Sequence, residues 1–145
     1  MIATMAEDIQ VGPLAIRFLI DAEASSGSAT AFEFTVPAGS RVPVPHSHDA
    51  YEETIYGLDG ELTWTVGDEE IAVAPGRAIC IPRGVVHGFE NRGTVDARAL
   101  AVVTPGVLGP EYFRDLRAVV AAAGGPPDPA AIAEVMQRHG LTPAV

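Results

Sequence analysis

Cysteine is almost missing from this 145-residue chain: Cys80 stands alone, so no disulfide can close within it. Small secreted domains usually rely on paired cysteines, which makes the cytoplasm the expected compartment. Positive charge is also scarce. Nine Lys and Arg against nineteen Asp and Glu give a net charge of -10 and a pI near 4.6. That balance argues against nucleic acid or an anionic membrane as a partner. No apolar run approaches the length of a membrane span. Met1 to Gln10 carries Glu7 and Asp8 and has neither the basic nor the apolar region of a signal peptide. No repeat of the solenoid kind is visible. Histidine is rare too, with four in the chain, yet three of them fall between Pro37 and Asn91.

Fifteen glycines and twelve prolines recur about every ten residues, the punctuation of many short strands joined by turns. Leu14 to Ile20 reads as a strand, and Ala24 to Ser28 as a loop of small residues. Ala31 to Val36 alternates, with Phe32, Phe34 and Val36 on one face. Pro43 and Pro45 disfavour helix and suit an extended entry to His46. Tyr51 to Leu58 follows, and Asp59-Gly60 carries a hairpin signal. Leu62, Trp64 and Val66 share a face, and Gly67 to Glu70 turns the chain back. Ile71 to Val73, Ala78 to Ile81, Val85 to Phe89 and Val95 to Thr104 complete a mainly β pattern.

The pattern changes after Pro105. Pro110 suits the first turn of a helix whose stripe is Tyr112, Phe113, Leu116, Val119, Val120 and Ala123. Gly124-Gly125 ends it. Asp128 then reads as an N-cap with Pro129 at N1, followed by Ile132, Val135 and Met136. Gly140 suits the position just past that helix, with Leu141 as its apolar partner. The expected division is a β domain over 1–105 and a helical extension packed on it over 106–145.

The chemistry concentrates at His46-Ser47-His48. On a strand these two imidazoles share a face, with Cα atoms about 6.6 Å apart. Glu53 lies on the next extended run, and His87 in a later β-branched and aromatic one. If these segments converge inside a closed sheet, they make a site of three nitrogens and one oxygen. Such donors suit Fe, Mn, Ni, Cu or Zn rather than Ca or Mg. Glu52 sits beside Glu53, but a one-residue shift flips a side chain to the other face, so Glu52 is expected in solvent. Cys80, between Ile79 and Ile81, is expected to be a buried small hydrophobe. His139 is expected on the surface in the last turn of the tail helix. Trp64, Phe32, Phe34 and Phe89 are expected in the core.

These spacings resemble the two motifs of the cupin superfamily. In the first, His46-x-His48 is followed by four residues, Glu53, six residues and Gly60; Gly39 stands one residue further upstream than the usual pattern has it. In the second, Gly76, Pro82, Gly84, His87 and Asn91 match at every spacing. The resemblance covers about Leu14 to Thr104, and the helical tail resembles that of small quercetin-dioxygenase-like cupins. It implies a jelly-roll (double-stranded β-helix) barrel with one divalent metal inside, on His46, His48, Glu53 and His87. It also implies tight turns at Gly60, Gly76 and Gly84, a small-molecule substrate or ligand, and a homodimer. Metal-dependent dioxygenase chemistry on a small phenolic or enolisable substrate is the nearest analogy, with Glu53 accepting a substrate proton. The same scaffold also carries isomerases, decarboxylases and non-catalytic binding or sensing modules.

Overall fold

The computed structural model describes residues 6–42 and 44–144. Residues 1–5 of the N-terminal stretch read for a leader, and Pro43 before His46, lie outside the described residues. The strands are β1 (Glu7–Val11), β2 (Leu14–Ile20), β3 (Thr30–Val36), β4 (His46–His48), β5 (Glu52–Asp59) and β6 (Leu62–Val66). They continue with β7 (Glu69–Val73), β8 (Ala78–Ile81), β9 (His87–Glu90), β10 (Ala97–Thr104) and β11 (Leu141–Pro143). The helices are α1 (Ala22–Ser25), α2 (Pro110–Ala122) and α3 (Pro129–Arg138).

Alternation sorts the strands into two antiparallel sheets. One has the order β1-β2-β3-β10-β5-β8 and the other β11-β4-β9-β6-β7. Their apolar faces meet. Phe32, Phe34 and Val36 on β3 are buried, as are Ala97, Ala99, Ala101 and Val103 on β10. The small β10 side chains leave room for aromatic rings. Phe32 stacks on Phe18 at 5.6 Å between ring centres, and Trp64 packs 4.9 Å from Phe89. Trp64 and the β3 phenylalanines are core residues, as expected; Phe89 is half-buried against them. Each fully buried ring contributes about 1.5–3 kcal/mol. Among the described residues no helix is long and apolar enough to cross a membrane.

Several boundaries differ from the sequence reading. Asp59-Gly60 is not a hairpin. β5 pairs with β10 and β8, whereas β6 pairs with β7 and β9, so this turn carries the chain from one sheet to the other. Gly60 allows the switch: φ is +63°, and an added Cβ would stand 2.5 Å from the Asp96 carbonyl oxygen. The hairpin lies at Gly67-Asp68, where Val66 faces Glu69. Ala22–Ser25 is one helical turn, capped by the Asp21 carboxylate accepting from the Ala24 amide at 2.9 Å. β9 begins at His87 and β10 at Ala97, each two residues later than the sequence indicated. Cys80 is exposed, not buried. On β8 the inward positions are Ile79 and Ile81, so period-two alternation turns Cys80 outward.

The C-terminal helices follow their signals. Pro110 opens α2, and Tyr112, Phe113 and Leu116 are buried. Asp128 caps α3 by accepting from the Ala130 amide at 3.0 Å, and Ile132, Val135 and Met136 are buried. Gly140 has φ +81°. His139 is half-buried rather than on the surface: its Nε2 lies 2.8 Å from Asp115 Oδ2, tying α3 to α2. Two strands had no sequence signal. β1 pairs with β2 along its length. β11 joins β4, setting Leu141 opposite His48 and Pro143 opposite His46.

Candidate metal centre

His46 and His48 are the two ends of β4, with Ser47 pointing the other way. His87 opens β9 and faces His46 directly across the ladder. The turn before His87 is held by two bonds: the Val85 amide donates to Pro82 O, and the Gly84 amide donates to His48 O at 2.8 Å. Positive φ at Gly84 (+80°) lets that turn close. On β5 of the opposite sheet, Glu53 and Ile55 are buried while Thr54 and Tyr56 face out, and Tyr51, just before that strand, is buried too. Glu52 turns outward as well and pairs with Arg83.

The result is a cluster. The ring centres of His46, His48 and His87 are 4.5–5.3 Å apart, and one ligand nitrogen from each lies within 4.8 Å of the others. Glu53 Oε1 stands 3.9 Å from His48 Nε2 and 3.8 Å from His87 Nε2. His48, His87 and Glu53 are buried, and His46 is half-buried.

Two of the imidazoles are fixed in the same way. His46 Nδ1–H donates to Val44 O at 2.8 Å, and His87 Nδ1–H donates to Val85 O at 2.9 Å. A carbonyl only accepts, so the proton is on Nδ1 and the Nε2 lone pair is left for the site. Among the described residues, His87 Nε2 has no hydrogen-bond partner. His48 has no such carbonyl among them: its Nδ1 is buried and unpartnered, and its ring stacks on Tyr51 at 4.5 Å and 21°.

Burial lowers the pKa of His46 to about 4 and of His48 to about 2, with the neighbouring imidazoles adding repulsion. It also lowers that of His87. These rings therefore stay neutral, the form that ligates metal. Burial pushes Glu53 up to about 7. It also raises the phenols of Tyr51 and Tyr112, helped by the charge of Glu53. Buried lone pairs without donors, beside a carboxylate that lacks a cation, fit a divalent transition metal.

Asn91, from the second sequence motif, is structural. Its Nδ2 donates to Val36 O and Val95 O at 2.9 and 2.8 Å, and its Oδ1 accepts from the Gly93 amide at 2.9 Å. The four polar side chains form part of the wall of a cavity that is otherwise mostly apolar. Sequence reasoning missed Tyr112, Phe113, Leu116, Met136 and Leu141 as its lining. The helical stripes showed only that the first four would be buried, and Leu141 read only as the apolar partner of Gly140.

Two antiparallel sheets enclosing a histidine cluster define a double-stranded β-helix protein with three imidazoles placed to bind a metal. The chain belongs to the cupin superfamily: the Cupin_2 family, described as a cupin domain, matches residues 32–103. Quercetin 2,3-dioxygenase of Bacillus subtilis is 36% identical over 81 residues, 55% of this chain and 23% of that protein. The tetracenomycin polyketide synthase protein TcmJ of Streptomyces glaucescens is 32% identical over 83 residues, 57% of this chain and 56% of that one. The matched stretch is thus about a quarter of the first relative and about half of the second. A Thermotoga maritima structure described as a predicted oxalate decarboxylase superposes with a TM-score of 0.64 at 25% identity. It covers 72% of this chain and 99% of its own.

Proposed function

We propose that this protein is a metal-dependent, dioxygenase-like oxidoreductase acting on a small phenolic or enolisable molecule. Its metal ligands are His46, His48, His87 and Glu53. The observation that carries this reading is the convergence of three imidazoles and one carboxylate at a largely apolar cavity. The similarity to a quercetin dioxygenase supports the reaction class.

A divalent transition metal bound there supplies Lewis acidity and open positions for a substrate oxygen. The chain's own residues do the rest. His46 and His87 present Nε2 because their Nδ1 protons are committed to Val44 O and Val85 O. Glu53, whose Oε1 stands close to two of the imidazoles, accepts on its second carboxylate oxygen the proton that an enolisable or phenolic substrate loses. Phe34, Trp64 and Phe89 wall the cavity and exclude bulk water, which strengthens the electrostatics inside. The single cysteine adds a cytoplasmic location to the proposal, to be checked by fractionation, and the resemblance to cupins adds a homodimer, to be checked by light scattering on a size-exclusion column.

Elemental analysis of the protein purified without a histidine tag tests the site. About one Fe, Mn, Ni, Cu or Zn per chain is expected. Oxygen uptake is then followed over substrates running from small hydroxyketones to catechols, and turnover is expected with a redox metal. No metal, even after incubation with each ion, overturns the site. Metal without uptake of oxygen overturns the dioxygenase reading and leaves isomerase, decarboxylase or ligand-sensing roles for the same centre.

A further inference from the structure

The cavity has a volume of about 80 Å³. That is about half of the ~150 Å³ apolar cavity known to admit benzene. Among the described residues, only Trp64 and Tyr112 bring polar side chains to the wall beyond the three imidazoles and Glu53, so the rest of it is apolar.

The size limit comes from outside the matched cupin residues. Leu108, Phe113, Leu116, Met136 and Leu141 all line the cavity and all follow residue 103. Phe113 is the largest apolar side chain among them. Its ring meets Phe32 edge-on at 4.8 Å and lies 6.1 Å from Phe18, so it is wedged between α2 and the β2–β3 face.

Resting on the proposed metal-dependent reading, we infer that the site takes oxygen-bearing molecules smaller than a benzene ring and that Phe113 sets this limit. Of the two substrate types above, this selects compact enolisable carbonyl compounds over phenolic rings.

Trp64 is the only tryptophan and lines the cavity, so its fluorescence reports occupancy independently of turnover. The protein is titrated as purified, and again after chelator treatment, with hydroxyacetone and catechol. In the chelator-treated protein, hydroxyacetone should give a saturable change. Catechol should bind the wild type at least tenfold more weakly than it binds Phe113→Ala. If that variant does not fold, Phe113→Leu serves, with a smaller gain in the same direction. Catechol binding wild type as tightly as the variant, or hydroxyacetone giving no change, overturns the inference. Because these titrations are repeated without metal, their failure is distinguishable from failure of the metal site, which elemental analysis reads.

Discussion

At the residue scale, His48 is held differently from its two partners. His46 and His87 each have a carbonyl to fix the ring, whereas His48 has only the stacked face of Tyr51. Groups that orient a metal ligand are typically worth tenfold to a hundredfold in affinity. Tyr51→Leu should therefore weaken metal binding by about tenfold in a competitive chelator titration. The hydroxyl of Tyr51 is buried without a partner, so Tyr51→Phe should keep wild-type affinity and lose no thermal stability. Equal loss in both variants would mean that the phenol, not the ring face, matters. Asn91 carries three hydrogen bonds from a buried position, and Asn91→Ala should cost about 2–4 kcal/mol in chemical denaturation. The clustering of these side chains was legible in the sequence because alternation is local: His46 and His48 must share a face, and Glu53 must point away from Glu52. The Tyr51 stack was not legible, because it forms between a strand and the turn beyond it.

At the element scale, the least legible piece is the most consequential. Leu141–Pro143 is too short to show alternation and ends in proline, yet it closes the edge of β4 beside two of the site's histidines. Proline is tolerated there because an edge strand leaves one side unpaired. Leu141 is buried and faces His48 across the ladder. Ending the chain after Gly140 removes that side chain and uncovers β4. The expected cost is about 2–5 kcal/mol, as for deleting a buried leucine, together with weaker metal binding. Urea denaturation and metal titration of the truncated protein check this; unchanged values in both would show that β11 only decorates the sheet. The same limit explains the error at Asp59-Gly60. A turn sequence specifies how sharply the chain bends, not which neighbour the next strand finds. The caps of α3, by contrast, were legible to the residue, because Asp128, Pro129 and Gly140 act on the backbone within a few positions of themselves.

At the scale of the whole molecule, the centre joins the two sheets. His46, His48 and His87 come from the five-stranded sheet, and Glu53 comes from the six-stranded one. A metal held by all four would link the sheets, and such a site exists only when both are in place. Binding confined to the folded state stabilises by mass action, by about 2.7 kcal/mol at a free metal concentration of 100 Kd. For a chain of this length that corresponds to a rise of about 5–10 °C in melting temperature. The rise should disappear in His87→Ala, which leaves an incomplete set of imidazoles. It should shrink in Glu53→Gln, where the six-stranded sheet keeps a weaker oxygen donor. Glu52→Ala should keep the full rise, because Glu52 faces solvent and pairs with Arg83. Differential scanning calorimetry of the chelator-treated protein, with and without added Zn or Mn, measures all three. Full retention in Glu53→Gln would place the metal on the imidazoles of one sheet alone and leave Glu53 free as the proton acceptor. Loss in Glu52→Ala would contradict the register that puts Glu53 inside.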